Sequence, residues 1–186
     1  MKNRILSTAL DLAVQNSVGN LSLGHVAGKL QISPRVIYVC FRNRQNLVCE
    51  LLAHIYKLLQ RKAEEVEKCV SNPMLALMLI SMNYVRYLAL LSPDVLEEIK
   101  KNSEAYAMAL KCKAYFFQVC SCYFEESKKG GFIHPLLQPR QVSTAYVNSL
   151  EKMETEVDLR LILDSLKVYC TDKGCEELCR YACKIL

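Results

Sequence analysis

Ser22-Leu23-Gly24-His25-Val26-Ala27-Gly28-Lys29-Leu30-Gln31-Ile32-Ser33-Pro34-Arg35-Val36-Ile37-Tyr38-Val39-Cys40-Phe41 reads as two helices on either side of a very short turn. Ser22 is a good N-cap, because its hydroxyl can satisfy one of the unpaired amides of a first turn. Val26, Ala27 and Leu30 then recur at helical spacing. Ser33-Pro34 is a cap followed by proline at the first helical position, which restarts a helix at once. Ile37 and Phe41 set the apolar face of the second helix against the first. Helices joined by so short a turn cross steeply, and the second is left free to enter a DNA major groove. Working outward, residues 5–52 read as three short helices and the start of a fourth.

Charge coincides with this motif. Residues 1–62 hold nine cations, Lys2, Arg4, Lys29, Arg35, Arg42, Arg44, Lys57, Arg61 and Lys62, against Asp11 and Glu50, a net +7. The whole chain is +5, so residues 63–186 carry −2. Lysines and arginines are often no more than solvated surface. A basic excess confined to the helix-turn-helix segment is instead what phosphate contact requires. Arg35 stands at the N-terminal end of the second helix, where a guanidinium can bond a guanine edge two ways. Arg42 and Arg44 follow just beyond it.

The same stretch resembles the DNA-binding domain of the TetR family of bacterial transcriptional repressors. The usual pattern there runs roughly Thr-Ser-Val-x-x-Ile-Ala-x-x-Ala-Gly-Val-Ser-x-Gly-Thr-Leu-Tyr-x-His-Phe-x-x-Lys-x-x-Leu. Ser22, Val26, Ala27, Ile32, Ser33, Ile37, Tyr38, Phe41 and Leu47 fit it, and Ala9 and Leu12 fit the helix before it. The resemblance covers about the first quarter of the chain. It implies that Tyr38 gives its hydroxyl to a phosphate, and a DNA-contacting set of Ser22, Ser33, Arg35, Val36, Tyr38, Arg42 and Arg44. There are departures. Gln31 stands at the usual Gly of the turn, where a positive φ costs a non-Gly residue on the order of 1 kcal/mol. Val36 replaces a Thr and Cys40 a His, so two polar donors are lost, while Arg44 keeps the charge of a Lys.

The remainder of the chain reads as helix after helix: 43–70, 74–91, 94–102, 105–128, 140–152, 157–170 and 175–184, with a proline-containing loop at 132–139. No alternating strand pattern appears. The expected fold class is all-α, with a helix-turn-helix domain at 1–52 and a helical ligand-binding and dimerisation domain at 53–186. Segment 74–91 is about long enough to cross a membrane. Asn83 and Arg86 in its interior, and the lack of a basic flank, favour a central helix buried on all sides. No membrane association is therefore expected. Arg86 would then need a carboxylate partner, or an anionic ligand. Met78, Met82, Arg86, Tyr87, Cys112 and Tyr115 are the candidate lining of a small-molecule pocket between 74–91 and 105–128, although flexible and aromatic side chains of this kind are also ordinary core.

Ten cysteines are many for 186 residues. The N-terminus has no secretory apolar region, so a cytoplasmic location and free thiols are expected. Cys175, Cys179 and Cys183 are four apart and share a helix face, suited to a soft metal, to an oxidant, or to simple burial as small hydrophobes. A shared face does not complete a coordination shell, and no metal site or cofactor is expected. His25, His54 and His134 are scattered. With no phosphate loop and no nucleophile elbow, an enzyme is not expected.

What the resemblance implies is a homodimeric repressor that binds a palindromic double-stranded operator and is released by a small-molecule inducer. Two-fold pairing has its own physical reason, since one short helix reads too few bases. Val142, Ala145, Tyr146 and Met153, with Leu159, Ile162, Leu163 and Leu166, form stripes that would suit a four-helix interface or the chain's own core. The alternative is a helical interaction protein of the same fold in which Val36 and Cys40 mark weakened or lost DNA binding.

Overall fold

The computed structural model describes residues 1–15, 23–88, 91, 93–153 and 158–185, with backbone alone at 13–15, 23, 44, 93–95, 98 and 184–185. Ten helices are present among them: α1 (Lys2–Gln15), α2 (Leu23–Leu30), α3 (Pro34–Phe41), α4 (Arg44–Cys69), α5 (Pro73–Leu88), α6 (Pro93–Lys101), α7 (Ser103–Lys129), α8 (Pro139–Glu151), α9 (Leu159–Lys167) and α10 (Asp172–Ile185). Among the described residues there is no strand, only an isolated antiparallel bridge between Ile133 and Cys170. The all-α expectation holds.

Short polar side chains start these helices, because the first amides of a helix have no carbonyl of their own to bond. Ser33 accepts from the Arg35 amide at 3.3 Å. Asn43 accepts from the Asn46 amide at 2.8 Å. The Asn72 carbonyl oxygen takes the Met74 and Leu75 amides at 3.0 and 3.1 Å. Asn102 does the same for Glu104 and Ala105, and Asp158 for Arg160 at 2.8 Å.

The chain divides into two compact units, Met1–Leu58 with Arg86–Cys112, and Leu59–Val85 with Lys113–Leu186. The first unit takes in residues 86–112 in addition to the N-terminal helices. Ile5 and Ala9 of α1, Val26 and Ala27 of α2, and Ile37 and Phe41 of α3 are buried there at i, i+1 and i+4 spacings. Val48 and Leu52 of α4 form a further cluster with Ile99 and Ala105, against which Cys49, Leu91, Met108 and Ala109 pack. The Cys112 thiol, also buried, donates to the Leu52 carbonyl at 3.8 Å.

The second unit is organised around aromatic rings. Tyr84 stacks on Phe116 with centroids 3.8 Å apart. Phe124 meets Tyr146 and Tyr169 edge to face at 5.5 and 5.8 Å. The fully buried Tyr146 hydroxyl donates to Ser81 Oγ at 2.7 Å, and Ser81 donates to the Leu77 carbonyl at 2.7 Å. Burial holds the Tyr146 phenol well above its ordinary range.

Two expectations are corrected here. Segment 74–91 is not buried on all sides: α5 starts at Pro73, and Arg86 is exposed. Asn83 and Arg86 are three residues apart, so they share one helix face, while Met74, Leu77, Met78, Ser81, Tyr84 and Val85 bury the other. The proposed interface stripes are also largely internal. Val142, Tyr146, Leu159, Ile162, Leu163 and Leu166 are buried within this unit, Ala145 is exposed and Met153 half-buried. The stripes close the unit's own core. Among the described residues, no helix is long and apolar enough to cross a membrane.

Candidate nucleic-acid interface

The turn between α2 and α3 is built from backbone hydrogen bonds. The Ile32 amide reaches the Ala27 carbonyl at 3.0 Å and the Gln31 amide reaches Gly28 at 3.1 Å. This pair of bonds is the Schellman end of a helix, and it requires a left-handed residue at Gln31. Gln31 has φ 54°, as the family pattern anticipates. Gln31→Gly is expected to stabilise the protein by roughly 0.5–1 kcal/mol, by removing the Cβ clash of that conformation. A urea midpoint that does not rise would show that no strain is held there.

From this turn α3 starts at once, with Ser33 as cap and Pro34 at its first position. Ile37 and Phe41 point into the unit, and Arg35, Tyr38 and Val39 stand out of it. Tyr38 is 51% exposed and Val39 76%. Beyond α3, Arg42 adopts φ 63° and ψ −47°. Its neighbours close a three-residue turn, the Asn43 amide bonding the Phe41 carbonyl at 2.7 Å. This γ-turn conformation is rare and strained, and it carries Arg42 outward between α3 and α4. Among the described residues Lys29, Arg35 and Arg42 are exposed and form no ion pair, whereas Lys2 is held by Glu50 at 3.0 Å.

Of the anticipated DNA-contacting residues, Ser33, Arg35, Tyr38 and Arg42 therefore share the exposed end of this motif. Val36 is half-buried, and Cys40 lines an open cleft of about 410 Å³ with Lys2, Phe41, Cys49, Glu50 and Glu104. Ser22 lies outside the described residues, as does the side chain of Arg44. Val39 is the residue that reading the sequence did not single out. Its signal was available: Ile37 and Phe41 are the buried pair, and a residue midway between them points away.

The small-molecule candidates fall in both compact units. Met78, Met82 and Tyr115 belong to one compact unit; Arg86, Tyr87 and Cys112 belong to the other. Met78 and Cys112 are buried, Met82, Tyr87 and Tyr115 half-buried. Arg86, being exposed, supplies no buried cation that would call for an acidic ligand. Among the described residues no three His, Cys, Asp or Glu side chains are placed to hold a metal ion.

No family model matches the chain, and no curated protein matches it. Solved structures do. A TetR-family transcriptional regulator from Marinobacter aquaeolei VT8 superposes with a TM-score of 0.71 at 16% identity, over 99% of this chain and 98% of that one. The regulatory protein TetR from Rhodobacter sphaeroides gives 0.66 at 12% identity, over 89% and 95%. A gamma-butyrolactone receptor, an ArpA-like protein, gives 0.65 at 12% identity, over 98% and 94%. At these identities the likeness is one of fold.

Proposed function

We propose that this chain, which has the fold of TetR-family transcriptional regulators, is itself a DNA-binding regulator of that family and works as a homodimeric repressor. The observation that carries the reading is the exposed face of α3. Arg35, Tyr38 and Val39 project from it, with Lys29 and Arg42 unpaired beside it among the described residues. An arginine at the start of such a helix reads a base edge; the tyrosine and the flanking cations hold phosphates. A palindromic operator follows from pairing two copies.

Release by a small molecule is the second part of the reading. It is supported by the existence of a gamma-butyrolactone receptor on the same fold. A ligand can release DNA only if it binds the DNA-incompetent state more tightly than the competent one. With Arg86 exposed, a neutral or amphipathic inducer fits better than an acidic one. The rival reading, an interaction protein that no longer binds DNA, draws on the loss of hydroxyl and imidazole groups at Val36 and Cys40.

The test is an operator selected from random DNA. Arg35→Ala should cost roughly 1–3 kcal/mol against that operator and relax the preference at one base pair. Arg44→Ala should weaken all sequences alike and flatten the salt slope by about one unit for each phosphate left without its cation. Equal behaviour of the two variants would remove the division between base and phosphate recognition. A monomeric mass at micromolar concentration would remove the dimer.

A further inference from the structure

On the open face of α3, Arg35 and Tyr38 have polar groups to offer DNA, and Val39 has none. Its side chain is 76% exposed, whereas the other large apolar side chains within the helices reach 51% at most among the described residues. A single exposed aliphatic residue is ordinary on a protein surface. The direction of this one is not. At about 100° per residue, Ile37 and Phe41 lie about 40° apart around α3, and Val39 lies opposite their midpoint. Both of those residues are buried. Val39 therefore points straight away from the core of its unit.

Its neighbours on α3 divide accordingly. Arg35, one turn earlier, is about 40° from Val39 around the helix, and Tyr38 is about 100° away. A helix laid in a major groove turns its outermost side chains to the base edges and its sides to the phosphates. Val39 and Arg35 then face bases, and Tyr38 faces the backbone. The two base-facing residues stand about 6 Å apart along the axis, less than two base-pair steps of about 3.4 Å. The groove floor offers an aliphatic side chain one apolar group, the C5 methyl of thymine. Everything else displayed there donates or accepts hydrogen bonds.

We propose that Val39 is a specificity-determining residue that reads the C5 methyl of a thymine within about two base pairs of the guanine read by Arg35. This assignment rests on the DNA-binding reading above. Arg35 selects its base by directional hydrogen bonds. Val39 selects by taking a methyl group out of water, and any other base leaves the isopropyl group against polar atoms. Burying one methyl is worth about fourfold in affinity for one half-site, and on the order of tenfold for both halves of a palindrome.

The experiment uses the full chain and an operator selected from random DNA. Each thymine is replaced, symmetrically in both half-sites, by deoxyuridine, which lacks only the C5 methyl. One position, near the base pair whose preference Arg35→Ala relaxes, should lose on the order of tenfold in affinity. The same duplex should cost Val39→Ala less than about twofold, because the shorter side chain no longer reaches the methyl. Val39→Asn should move the selected base at that position from thymine to adenine, whose edge an amide can bond two ways. Circular dichroism checks that both variants fold, as expected for changes at an exposed site. A deoxyuridine effect equal in the wild type and Val39→Ala, no effect at any position, or no thymine near the guanine in the selected operator would each overturn the assignment while leaving DNA binding intact. Absence of binding to any duplex at low salt would remove the DNA-binding reading, and this assignment with it.

Discussion

Operator binding is expected to weaken by about three orders of magnitude or more when salt is raised from about 50 to about 200 mM. Lys29, Arg35 and Arg42 are exposed in each copy and unpaired among the described residues, and Arg44 opens α4. Doubled in a dimer, Lys29, Arg42 and Arg44 neutralise roughly six phosphates, and the counterions released on binding set the salt dependence. Fluorescence anisotropy on a selected duplex, titrated at a series of salt concentrations, measures the slope. A loss of less than about tenfold would mean that the cations are not on phosphates. No binding even at low salt would favour the interaction-protein reading. The effect is separate from base readout, so it should persist in Arg35→Ala with a slightly shallower slope.

Gly174→Ala should destabilise the protein by about 3 kcal/mol, or prevent folding outright. A Cβ at this position would lie 2.0 Å from the Phe132 carbonyl oxygen and 3.0 Å from its carbon. Both are backbone atoms, fixed by the Thr171 amide at 3.0 Å and by the bridge between Ile133 and Cys170, so neither can swing aside. Gly28→Ala is the internal comparison. Nothing lies within 4 Å of its would-be Cβ, and it sits in α2. That change should be neutral or stabilising by up to about 1 kcal/mol, from helix propensity. Urea unfolding of the two variants gives the contrast. Equal midpoints would show that the junction before α10 yields more easily than its geometry implies.

The helix-turn-helix and the exposed side of α3 were the more legible part of this protein, and the reason is physical. Ser33-Pro34, Asn43 and Ser71-Asn72-Pro73 mark helix boundaries through interactions that span two to four residues. Ile37 with Phe41 names the buried side of α3 by spacing alone, and Gln31 betrays its left-handed backbone by standing where the pattern has glycine. Val39 follows from the same geometry once the opposite side is considered. The reading of 74–91 as a helix buried on all sides fared differently. Average hydrophobicity over 74–91 hid the fact that Asn83 and Arg86 fall together on one side of α5, and that side is open at Arg86.

Local chemistry in the chain was therefore enough for helix positions, caps, the turn at Gln31, the basic excess of the first 62 residues and the outward side chains of α3. Tertiary structure alone decided what the apolar stripes of α8 and α9 pack against. Amphipathicity says that a face is buried, never whether the cover is the same chain or another copy. It also decided the neighbours of Cys170 and Gly174. The Phe132 carbonyl that forbids a side chain at Gly174 comes from about forty residues earlier in the chain, and only close packing sets such neighbours.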